Sequence, residues 1–566
     1  MEADVIIVGS GAGGLTAAII AAKAGLDVIV LESTPRFGGT TALSGGGVWI
    51  PANHHQGELG VSDTREEADA YLHAALGNLY DAAKVDTYLE NAPKMLSYLE
   101  ANSEVLLTAS TIPDYVPGAP GWKTGRCLLT ADYDGRKLGE WLARLRMPIR
   151  EMGLFDSMQI SPLDAFTMQG WNKSLGAFAA TMKRIGRYAV DRLTWGRGTN
   201  LANGNALAGR LLKSAVDAGV TLMNNTRARH IVMDGDIAAG IVATGPDGAE
   251  RTFNARRGVI LASGGFGANA EMRRKYLPQA DAGWSLQPEG SQGDGITIGE
   301  EAGGSVNEGN VANGIWVPAS AFKRKDGTLA KFPSLFFDRH CPGSILVDAT
   351  TGKRFVNESF HYQNFGEVTR EKGITKIWMI NDVVAVRKYG MGMVKPAPFP
   401  IRPWVEKGYI IEAPTIGALA EKIGVDRAAL EKTVSDFNTY ADAGHDPEFK
   451  RGDDYYSAYM GDFMHKPNPA LGALRTAPFY ALEIRPSDLS TLAGLNTNEK
   501  AQVLRQDGVP IPGLYAVGLD NNTMMRGRYP GGGSSLGPAM TFGYIAAHDL
   551  AAQGARSAAM PQRAQA

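Results

Sequence analysis

The chain has 566 residues, of which 44% are hydrophobic and 20% charged, which is the composition of an ordinary globular protein. Its length exceeds what one hydrophobic core usually supports, so we expect two domains, or one large domain with an inserted second domain. The formal net charge of −2 at pH 7 provides no overall attraction to nucleic acid or to an anionic membrane, and we predict no nucleic-acid partner.

The cysteines and the first residues bear on the cellular compartment. Two cysteines, Cys127 and Cys341, are too few for a disulfide framework or a thiolate metal site, and we predict no bound metal. Residues 1–4 lead directly into an apolar strand without a basic or cleavable segment, which predicts no secretory signal. No stretch is apolar over the length needed to span a bilayer. We therefore expect a cytoplasmic protein.

The N-terminal segment has the order of elements of a dinucleotide-binding βαβ unit. Residues 5–8 are a run of apolar, mostly β-branched side chains, typical of a buried parallel strand, and a glycine-rich turn follows at residues 9–14. Residues 15–22 predict a helix, residues 27–31 predict a second strand, and Glu32 stands at the end of that strand. A lone glycine motif is weak evidence, but here the confirming elements all occur in the expected order.

Three glycines of the turn have separate roles in such a unit. Gly9 permits the tight turn, Gly11 lets a pyrophosphate approach the backbone, and Gly14 lets the helix pack on the strand. The N–H groups at the helix N-terminus then face the phosphates, and Glu32 can accept hydrogen bonds from ribose hydroxyls. The sequence therefore predicts a dinucleotide cofactor.

A second glycine-rich stretch, residues 36–47, indicates FAD rather than NAD. An NAD domain would normally continue with another βα unit, whereas the longer FAD needs many backbone N–H donors for its pyrophosphate and ribityl chain. A glycine-rich surface loop is the alternative, but it does not explain the hydroxyl groups of Thr40, Thr41 and Ser44.

These segments resemble the flavoprotein family that includes fumarate reductases and 3-ketosteroid Δ1-dehydrogenases. Residues 226–229 are similar to the strand that supports adenine, residues 258–266 to the strand and turn that return to the FAD, and residues 512–518 to the late strand that reaches the flavin. The succinate dehydrogenase branch binds flavin covalently through a histidine soon after the second glycine loop. This chain has leucine and glycines there, so the resemblance implies non-covalent FAD, and we expect His54 and His55 at the surface.

The motifs and the resemblance together assign a set of cofactor-binding residues. They are Gly9, Ser10, Gly11, Gly14, Glu32, Ser33, Gly38, Gly39, Thr40, Thr41, Ala42, Ser44, Gly45, Gly46, Ala228, Ala262, Gly264, Gly518, Ser535 and Leu536.

The resemblance implies an α/β fold, with a Rossmann-like FAD-binding domain and an inserted α+β substrate domain, or cap. We expect the first FAD-binding segment over residues 1–307, the cap over 308–477 and the second FAD-binding segment over 478–566. Residues 147–197 interrupt the first segment. The tail from Gln553 is rich in alanine, arginine and glutamine, and we expect it to fray.

The interruption at residues 147–197 predicts an amphipathic helix. Its apolar face consists of Trp171, Leu175, Phe178, Met182 and Ile185. The rest carries Lys173, Lys183, Arg184, Arg187 and Arg192, opposed only by Asp191. A basic amphipathic helix can lie on a membrane surface, which would make the protein peripherally membrane-associated. A helix that packs on the core with a solvated basic face is the alternative, and the sequence leaves both open.

Dehydrogenation beside a ketone needs a base for the α-proton, a hydride acceptor and donors for the carbonyl oxygen. Flavin accepts the hydride, so the protein must supply the base and the donors. Residues 111–115, 357–362 and 528–537 resemble the matching segments of the 3-ketosteroid Δ1-dehydrogenases.

The resemblance assigns the following roles to four residues. Tyr362 is the base, Tyr115 supports it by hydrogen bonding, and the hydroxyl of Tyr529 and the N–H of Gly533 hold the 3-keto oxygen. Because tyrosine has an ordinary pKa of about 10, its phenolate must be stabilised by Tyr115, another donor or a positive field. A helix starting near Gly537 would direct its positive end toward the flavin.

We therefore expect an FAD-dependent 3-oxosteroid 1-dehydrogenase, which introduces a C1–C2 double bond by proton abstraction at Tyr362 and hydride transfer to flavin N5. Its expected partners are a steroid or cyclic-ketone substrate and an electron acceptor, with a quinone-like compound as one candidate. Three alternatives stay open: a dehydrogenase for another cyclic ketone or ring-A bond, a fumarate or ene reductase, and a non-enzymatic flavin-binding protein. Arginines for a dicarboxylate exist at Arg485, Arg526 and Arg528, but residues 487–494 replace the histidine-bearing segment of the fumarate reductases.

Overall fold

The computed structural model describes residues 1–170, 174–278, 282–335 and 338–554. Trp171 and Lys173 of the predicted amphipathic helix, and the tail beyond residue 554, lie outside the described residues.

The strands, in chain order, are β1 Glu2–Val8, β2 Val28–Leu31, β3 Gly47–Trp49, β4 Leu107–Thr108, β5 Cys127–Thr130, β6 Tyr133–Asp134, β7 Asn200–Leu201, β8 Thr221–Met223, β9 Arg227–Asp234, β10 Ile237–Thr244, β11 Glu250–Leu261, β12 Gly314–Lys323, β13 Leu329–Pro333, β14 Ser344–Asp348, β15 Ile377–Asp382, β16 Ile410–Ala413, β17 Phe479–Thr491, β18 Gln502–Leu504 and β19 Pro510–Ala516. The α-helices are α1 Ala12–Lys23, α2 Arg65–Leu76, α3 Ala82–Asn102, α4 Trp141–Arg144, α5 Pro162–Gln169, α6 Leu175–Trp195, α7 Asn203–Asp217, α8 Ala270–Tyr276, α9 Asp294–Glu301, α10 Tyr362–Lys372, α11 Val383–Tyr389, α12 Arg402–Glu406, α13 Ile416–Ile423, α14 Arg427–Ala443, α15 Tyr455–Tyr459 and α16 Leu536–Ala552.

The larger sheet contains the predicted βαβ unit. Its strands follow the order β18-β19-β11-β1-β2-β8, and the β9–β10 hairpin joins it through the pairing of β10 with β11. Strand β1 pairs in parallel with β2 and β11, and it is buried from Ala3 to Val8. A central parallel strand is covered on both faces, which explains why its sequence is a continuous apolar run.

Helices α1 and α16 pack closely against each other beside this sheet. A Cβ atom on Gly543 would lie 2.5 Å from the carbonyl oxygen of Gly13, and one on Gly13 would lie 3.0 Å from the carbonyl oxygen of Ala539 and 3.2 Å from Val517. Glycine is therefore required at this contact. The first turns of α1 and α16 lie together, at the point where β19 ends.

The smaller sheet belongs to the cap. Its strands follow the antiparallel order β13-β12-β17-β15-β14, and β16 also pairs with β17. Helices α13 and α14 pack on it through Leu419, Leu430 and Phe437. Strand β17 follows the predicted cap boundary at residue 477, yet it pairs with cap strands. The domain boundaries stay a prediction, and this pairing favours a boundary near residue 492.

Helix α6, in the interruption at residues 147–197, presents apolar side chains to solvent. Leu175, Phe178 and Met182 of the predicted apolar face are exposed, Leu175 to 89%, whereas Ile185 is half-buried. Leu193 continues the same face and is 88% exposed. Among the helices that the structure describes, none combines the length and the apolar character required to cross a bilayer.

Two arginines of α6 form ion pairs with the protein instead of belonging to a solvated basic face, which one of the two interpretations predicted. Arg184 Nη2 lies 2.5 Å from Asp164 Oδ2 of α5, and Arg187 Nη2 lies 3.3 Å from Asp134 Oδ1. These acidic partners come from other segments, so the sequence of the helix alone could not reveal them. The helix turns its polar side toward the protein and its apolar side outward, the reverse of the usual arrangement.

Candidate active site

The turn between β1 and α1 has the geometry of a phosphate-binding loop. Gly9 has a φ of +104°, and a Cβ there would lie 2.1 Å from the carbonyl oxygen of Ala262. A Cβ on Gly14 would lie 2.3 Å from the carbonyl oxygen of Gly9. Helix α1 starts after Gly11, which has no side chain to cap it, and this leaves N–H groups of the first turn for an external acceptor such as a phosphate.

Glu32 lies at the end of β2, as predicted, and connects the two glycine loops. Its carboxylate accepts hydrogen bonds from Ser10 Oγ at 2.5 Å and from the N–H of Thr34 at 3.0 Å. Ser10 Oγ in turn accepts the N–H of Gly38 at 3.0 Å. A carboxylate can accept further bonds, so Glu32 remains suited to ribose hydroxyls.

The second glycine loop folds against the first. Residues Thr40–Leu43 form a short 3₁₀ helix, and the hydroxyl of Thr41 accepts the N–H of Ala12 at 2.9 Å. A Cβ on Gly39 would lie 3.6 Å from Gly11 Cα, so the two backbones almost touch. Thr40 Oγ1 is buried and has no hydrogen-bond partner among the described residues. An orphaned hydroxyl at this position is the feature expected where a cofactor phosphate binds.

The remaining predicted cofactor residues continue this cradle in two directions. Ala228 is buried on β9 at one end. At the other end, Gly518 and Ser535 line a small cavity beside the first turn of α16, together with Leu519, Pro538, Ala539 and Phe542. Leu536 is the first residue of α16. A cradle from β9 to the N-terminus of α16 has the form that an extended dinucleotide such as FAD requires.

The structure brings the three predicted tyrosines into one cluster. Tyr115 lies between β4 and β5, Tyr362 is the first residue of α10, and Tyr529 lies in the loop before α16. The ring centroid of Tyr115 lies 5.8 Å from that of Tyr362 and 5.8 Å from that of Tyr529. The centroids of Tyr362 and Tyr529 are 5.5 Å apart. Tyr115 and Tyr362 are buried, and Tyr529 is half-buried.

Gly533 places its backbone beside this cluster. Its φ is +92°, and a Cβ there would lie 2.6 Å from the carbonyl group of Gly47 and from the nitrogen of Trp49. The carbonyl oxygen of Gly533 accepts the N–H of Trp49 at 3.2 Å. Burial raises the pKa of Tyr529, and the backbone N–H of Gly533 is near enough to oppose that rise. The N–H of Gly533 and the hydroxyl of Tyr529 therefore lie close enough to bind one oxygen atom.

The backbone around Tyr115 is fixed by the same loop. The N–H of Tyr115 donates to the carbonyl oxygen of Pro530 at 2.8 Å, and the hydroxyl of Tyr71 donates to the same oxygen at 2.5 Å. Tyr71 also accepts the N–H of Val116 at 3.2 Å. These bonds connect the segment that carries Tyr115 to the segment that carries Tyr529.

A buried ion-pair network lies behind Tyr115. Asp114 accepts hydrogen bonds from Trp49 Nε1 at 2.8 Å and from Arg126 Nη1 at 2.7 Å. Arg126 also forms a two-bond pair with Asp63, at 2.8 and 2.7 Å. No local sequence pattern marks these residues, because their partners lie 12 to 65 positions away along the chain.

Burial controls the protonation of the tyrosines. It raises the pKa of Tyr115 and Tyr362 well above the ordinary value, and it also raises that of Tyr529. The neighbouring Tyr529 raises the pKa of Tyr362 further, whereas hydrogen bonding with Tyr115 lowers it. Tyr115 therefore acts on Tyr362 in the direction that its predicted supporting role requires.

Two further side chains at the cluster were not predicted. The ring of Tyr456, on α15, lies 4.9 Å from that of Tyr115, and the ring of His361 stacks on Tyr115 at 5.1 Å. Tyr456 is one of 19 tyrosines and lies in no recognisable motif, so only the folded chain identifies it. Of the two predicted surface histidines, His54 is exposed, but His55 is only 12% exposed and is held by Glu100 at 3.0 Å.

Known proteins resemble this chain over nearly its whole length. The FAD binding domain family matches residues 4–536. The 4-oxocyclohex-2-ene-1-carboxylate 5-dehydrogenase of Sinomonas cyclohexanicum is 38% identical, over 97% of this chain and 93% of that protein. The 3-oxosteroid 1-dehydrogenase of Mycolicibacterium smegmatis is 36% identical, over 98% of both chains.

Solved structures agree with these relatives. The 3-ketosteroid Δ1-dehydrogenase of Sterolibacterium denitrificans, solved with 1,4-androstadiene-3,17-dione, has a TM-score of 0.89 and 35% identity, over 97% of this chain and 99% of that one. A flavocytochrome c3 fumarate reductase, at 23% identity and a TM-score of 0.62, shares the fold. The predicted α/β fold, the FAD cofactor and the oxidoreductase class are confirmed. The chain belongs to the FAD-dependent flavoprotein family that contains the 3-oxosteroid 1-dehydrogenases.

Proposed function

We propose that this chain is a 3-oxosteroid 1-dehydrogenase that introduces a C1–C2 double bond into ring A. The observation that carries the proposal is the meeting of Tyr115, Tyr362 and Tyr529 in one cluster beside the N–H of Gly533. The relatives at 35–36% identity whose names specify steroid dehydrogenation support it.

The proposed chemistry needs a base and a pair of hydrogen-bond donors for the 3-keto oxygen, which we call the clamp. The hydroxyl of Tyr529 and the N–H of Gly533 bind the 3-keto oxygen and stabilise the negative charge that develops there as the enolate forms. This polarisation acidifies the adjacent C–H. The phenolate of Tyr362 then takes the proton from C2, and the C–H electron pair stays with the substrate.

Bound FAD supplies the acceptor for the hydride that leaves C1. The chain's own contribution is to hold the ring between the tyrosine cluster and the first turn of α16, where Gly518 and Ser535 line the cavity. The positive end of α16 favours negative charge in this cavity. Leucine and glycines stand where the succinate dehydrogenase branch has its flavin-binding histidine, and this supports non-covalent binding of the FAD.

The experiment that tests the proposal is anaerobic reduction of the purified yellow protein. The flavin absorbance should bleach with saturated or 4-ene 3-ketosteroids, and the product should carry the C1–C2 double bond. Bleaching by succinate but by no ketone, or reoxidation of the reduced flavin by fumarate together with no bleaching by any ketone, would contradict the proposal.

A smaller cyclic ketone is the second candidate substrate. The relative that is 38% identical is named for a 4-oxocyclohexene carboxylate, and its identity to this chain is slightly higher than the 36% of the 3-oxosteroid 1-dehydrogenase. The base and clamp would act in the same way on such a ring. A preference for 4-oxocyclohex-2-ene-1-carboxylate over 3-ketosteroids in the same bleaching assay would select this candidate.

We also propose that the apolar face of α6 rests on a membrane surface. Leu175 and Leu193 are almost fully exposed, and ion pairs on the opposite side of α6 hold the helix in this orientation. A membrane surface would also be a source of poorly soluble steroid and of a quinone-like electron acceptor. Cytoplasmic location and the identity of the acceptor stay predictions.

A further inference from the structure

Two adjacent histidines and a glutamate form a cluster outside the proposed catalytic and cofactor-binding sets. His54 and His55 begin a 3₁₀ helix, His54–Leu59, which follows β3, and Glu100 lies near the end of α3. The Nε2 atom of His54 lies 2.9 Å from Glu100 Oε2, and the Nε2 atom of His55 lies 3.0 Å from Glu100 Oε1. One carboxylate therefore faces the Nε2 atoms of both histidines.

The polar atoms of this cluster converge at the spacing of metal ligands. One ligand atom from each of the three side chains lies within 4.8 Å of the other two. Around a tetrahedral zinc ion, with bonds of about 2.0–2.1 Å to histidine nitrogen and carboxylate oxygen, the ligand atoms are roughly 3.4 Å apart. The two histidine–carboxylate distances are only slightly shorter than this spacing. Small side-chain movements would therefore admit the ion.

A fourth side chain fixes the orientation of His55. The Nδ1 atom of His55 lies 2.7 Å from Oε1 of Glu58, three residues later in the same 3₁₀ helix. A carboxylate beside one nitrogen of a neutral imidazole makes that nitrogen the donor and leaves the lone pair of the other nitrogen for a metal. Metal-binding histidines almost always have such a partner on the far side of the ring. The Nε2 atom that faces Glu100 is thus the one available to a metal.

Glu100 is held in place by the segment that follows α3. Its Oε1 accepts the N–H of Leu107 at 3.1 Å. Among the residues that the structure describes, Glu58 and Glu100 form ion pairs only with the two histidines. When both imidazoles are neutral, the cluster therefore carries the negative charge of two carboxylates, which favours a divalent cation.

We propose that His54, His55 and Glu100 form a binding site for a divalent metal ion of the zinc type, with water as the remaining ligand. Imidazole and carboxylate ligands in this number suit zinc. The side chain of His54 is 49% exposed, so the ion can enter from solvent and keep a water ligand. Such a site needs no cysteine, and the small number of cysteines does not exclude it.

The ion would connect two segments whose ligands lie 45 positions apart in the sequence, the 3₁₀ helix and the end of α3. No residue of the proposed catalytic and cofactor-binding sets belongs to either element. We therefore expect the ion to stabilise the fold and not to take part in the dehydrogenation. Because a metal that binds only the folded chain raises its stability, this role can be measured without turnover.

An ion-pair cluster without metal is the alternative that the experiment must separate. Burial lowers the pKa of His55, but its hydrogen bonds with Glu58 and Glu100 outweigh burial and raise that pKa above the ordinary value. A protonated His55 satisfies Glu100 when no metal is bound. In the alternative, the histidines and Glu100 pair with each other and zinc gains nothing from their arrangement.

The experiment measures zinc binding to the FAD-loaded chain, free of any histidine tag and stripped with a chelator. Competition with a chromophoric zinc indicator should show one zinc ion per chain, and zinc should raise the unfolding temperature. Loss of an outer hydrogen-bond partner costs about 10–100-fold in metal affinity, which is the range expected for Glu58→Gln. His54→Gln and Glu100→Gln each remove a ligand, so each should cost more than about 100-fold and abolish the rise in unfolding temperature.

His230→Gln is the matched control, because His230 is an exposed histidine that pairs with the single carboxylate of Glu301, at 3.2 Å. This variant should bind zinc as tightly as the parent protein. FAD content and the unfolding temperature without zinc show whether each variant is folded. If Glu100→Gln does not fold, His54→Gln decides alone, since His54 is at the surface.

The identity of the ligands is checked by X-ray absorption of the zinc-loaded protein, which should show only nitrogen and oxygen neighbours, at about 2.0–2.1 Å. A sulfur neighbour at about 2.3 Å would assign the zinc to Cys127 or Cys341 and overturn the proposed site. Equal zinc affinity in the parent protein and in folded His54→Gln would leave only the ion-pair cluster. An equal loss of affinity in His230→Gln and His54→Gln would show binding to surface histidines in general, which also rejects the site.

Discussion

Replacing Gly533 by alanine tests the carbonyl clamp, because the structure shows what the added methyl group would meet. The new Cβ would lie 2.6 Å from the carbonyl carbon and oxygen of Gly47 and from the nitrogen of Trp49. These are backbone atoms of β3, which pairs with β5 and cannot yield as the end of a side chain can. The φ of +92° adds strain for any residue with a Cβ.

The expected loss of stability combines the backbone strain with the steric overlap of the added methyl group. Left-handed backbone costs an alanine about 1–2 kcal/mol, and overpacking typically costs about 1–3 kcal/mol. We therefore expect Gly533→Ala to lose about 2–5 kcal/mol of stability, or to relieve the contact by moving the loop that carries Tyr529. Either way the N–H of residue 533 would leave the position proposed for binding the keto oxygen, and loss of one such donor commonly lowers kcat by about 10²–10³-fold.

The assay measures kcat, KM, FAD content and thermal unfolding of Gly533→Ala with a 3-ketosteroid substrate. Gly57→Ala is the matched control, since its Cβ would meet nothing within 4 Å, and it should change neither activity nor stability appreciably. A Gly533→Ala protein with normal stability and normal kcat would refute the geometry of the clamp.

The remaining predictions concern the base, the clamp hydroxyl, the cofactor and helix α6. Tyr362→Phe should keep the FAD spectrum and substrate binding but lose about 10²–10⁴-fold in kcat, and near-normal turnover would show that another group takes the proton. Tyr529→Phe should lower kcat as well as affinity, whereas a change in KM alone would make Tyr529 a uniform binding contact. Acid precipitation should release FAD into the supernatant, and flavin left on the precipitate would contradict non-covalent binding. Leu175→Ser with Leu193→Ser should reduce pelleting with anionic vesicles, and unchanged pelleting would leave α6 without a membrane role.

The FAD-binding part of the fold is predictable because its determinants are local. Within the turn, Gly9 has a φ of +104°, and a Cβ on Gly14 would lie 2.3 Å from the carbonyl oxygen of Gly9, so the glycine pattern and the turn imply each other. Strand β1 is apolar throughout because both of its faces are covered. The sheet to which a strand belongs is not local information, and the placement of β17 among the cap strands therefore required the structure.

The site is predictable only where a motif marks it. Tyr362 and Tyr529 lie in segments that resemble a known family, and both reach the cluster. Tyr456 lies in no motif and is separated from Tyr115 by more than three hundred residues, so only the folded chain shows that their rings lie 4.9 Å apart. Helix α6 shows the same limit of sequence-based prediction. Its amphipathic pattern predicts an apolar and a polar face, but it does not show which of the two faces contacts the protein.

A buried tyrosine base faces two opposing requirements. Burial excludes water, which strengthens the hydrogen bonds of Tyr529 and Gly533 to the developing oxyanion, but it also raises the pKa of Tyr362. Each pKa unit costs about 1.4 kcal/mol of phenolate stability, which is comparable to the contribution of one hydrogen bond to a charged group. One supporting hydroxyl, that of Tyr115, therefore offsets only part of the cost of complete burial. The hydroxyl of Tyr529 and the N–H of Gly533 reduce the remaining demand in the proposed mechanism, because polarising the ketone acidifies the C–H from which Tyr362 takes the proton.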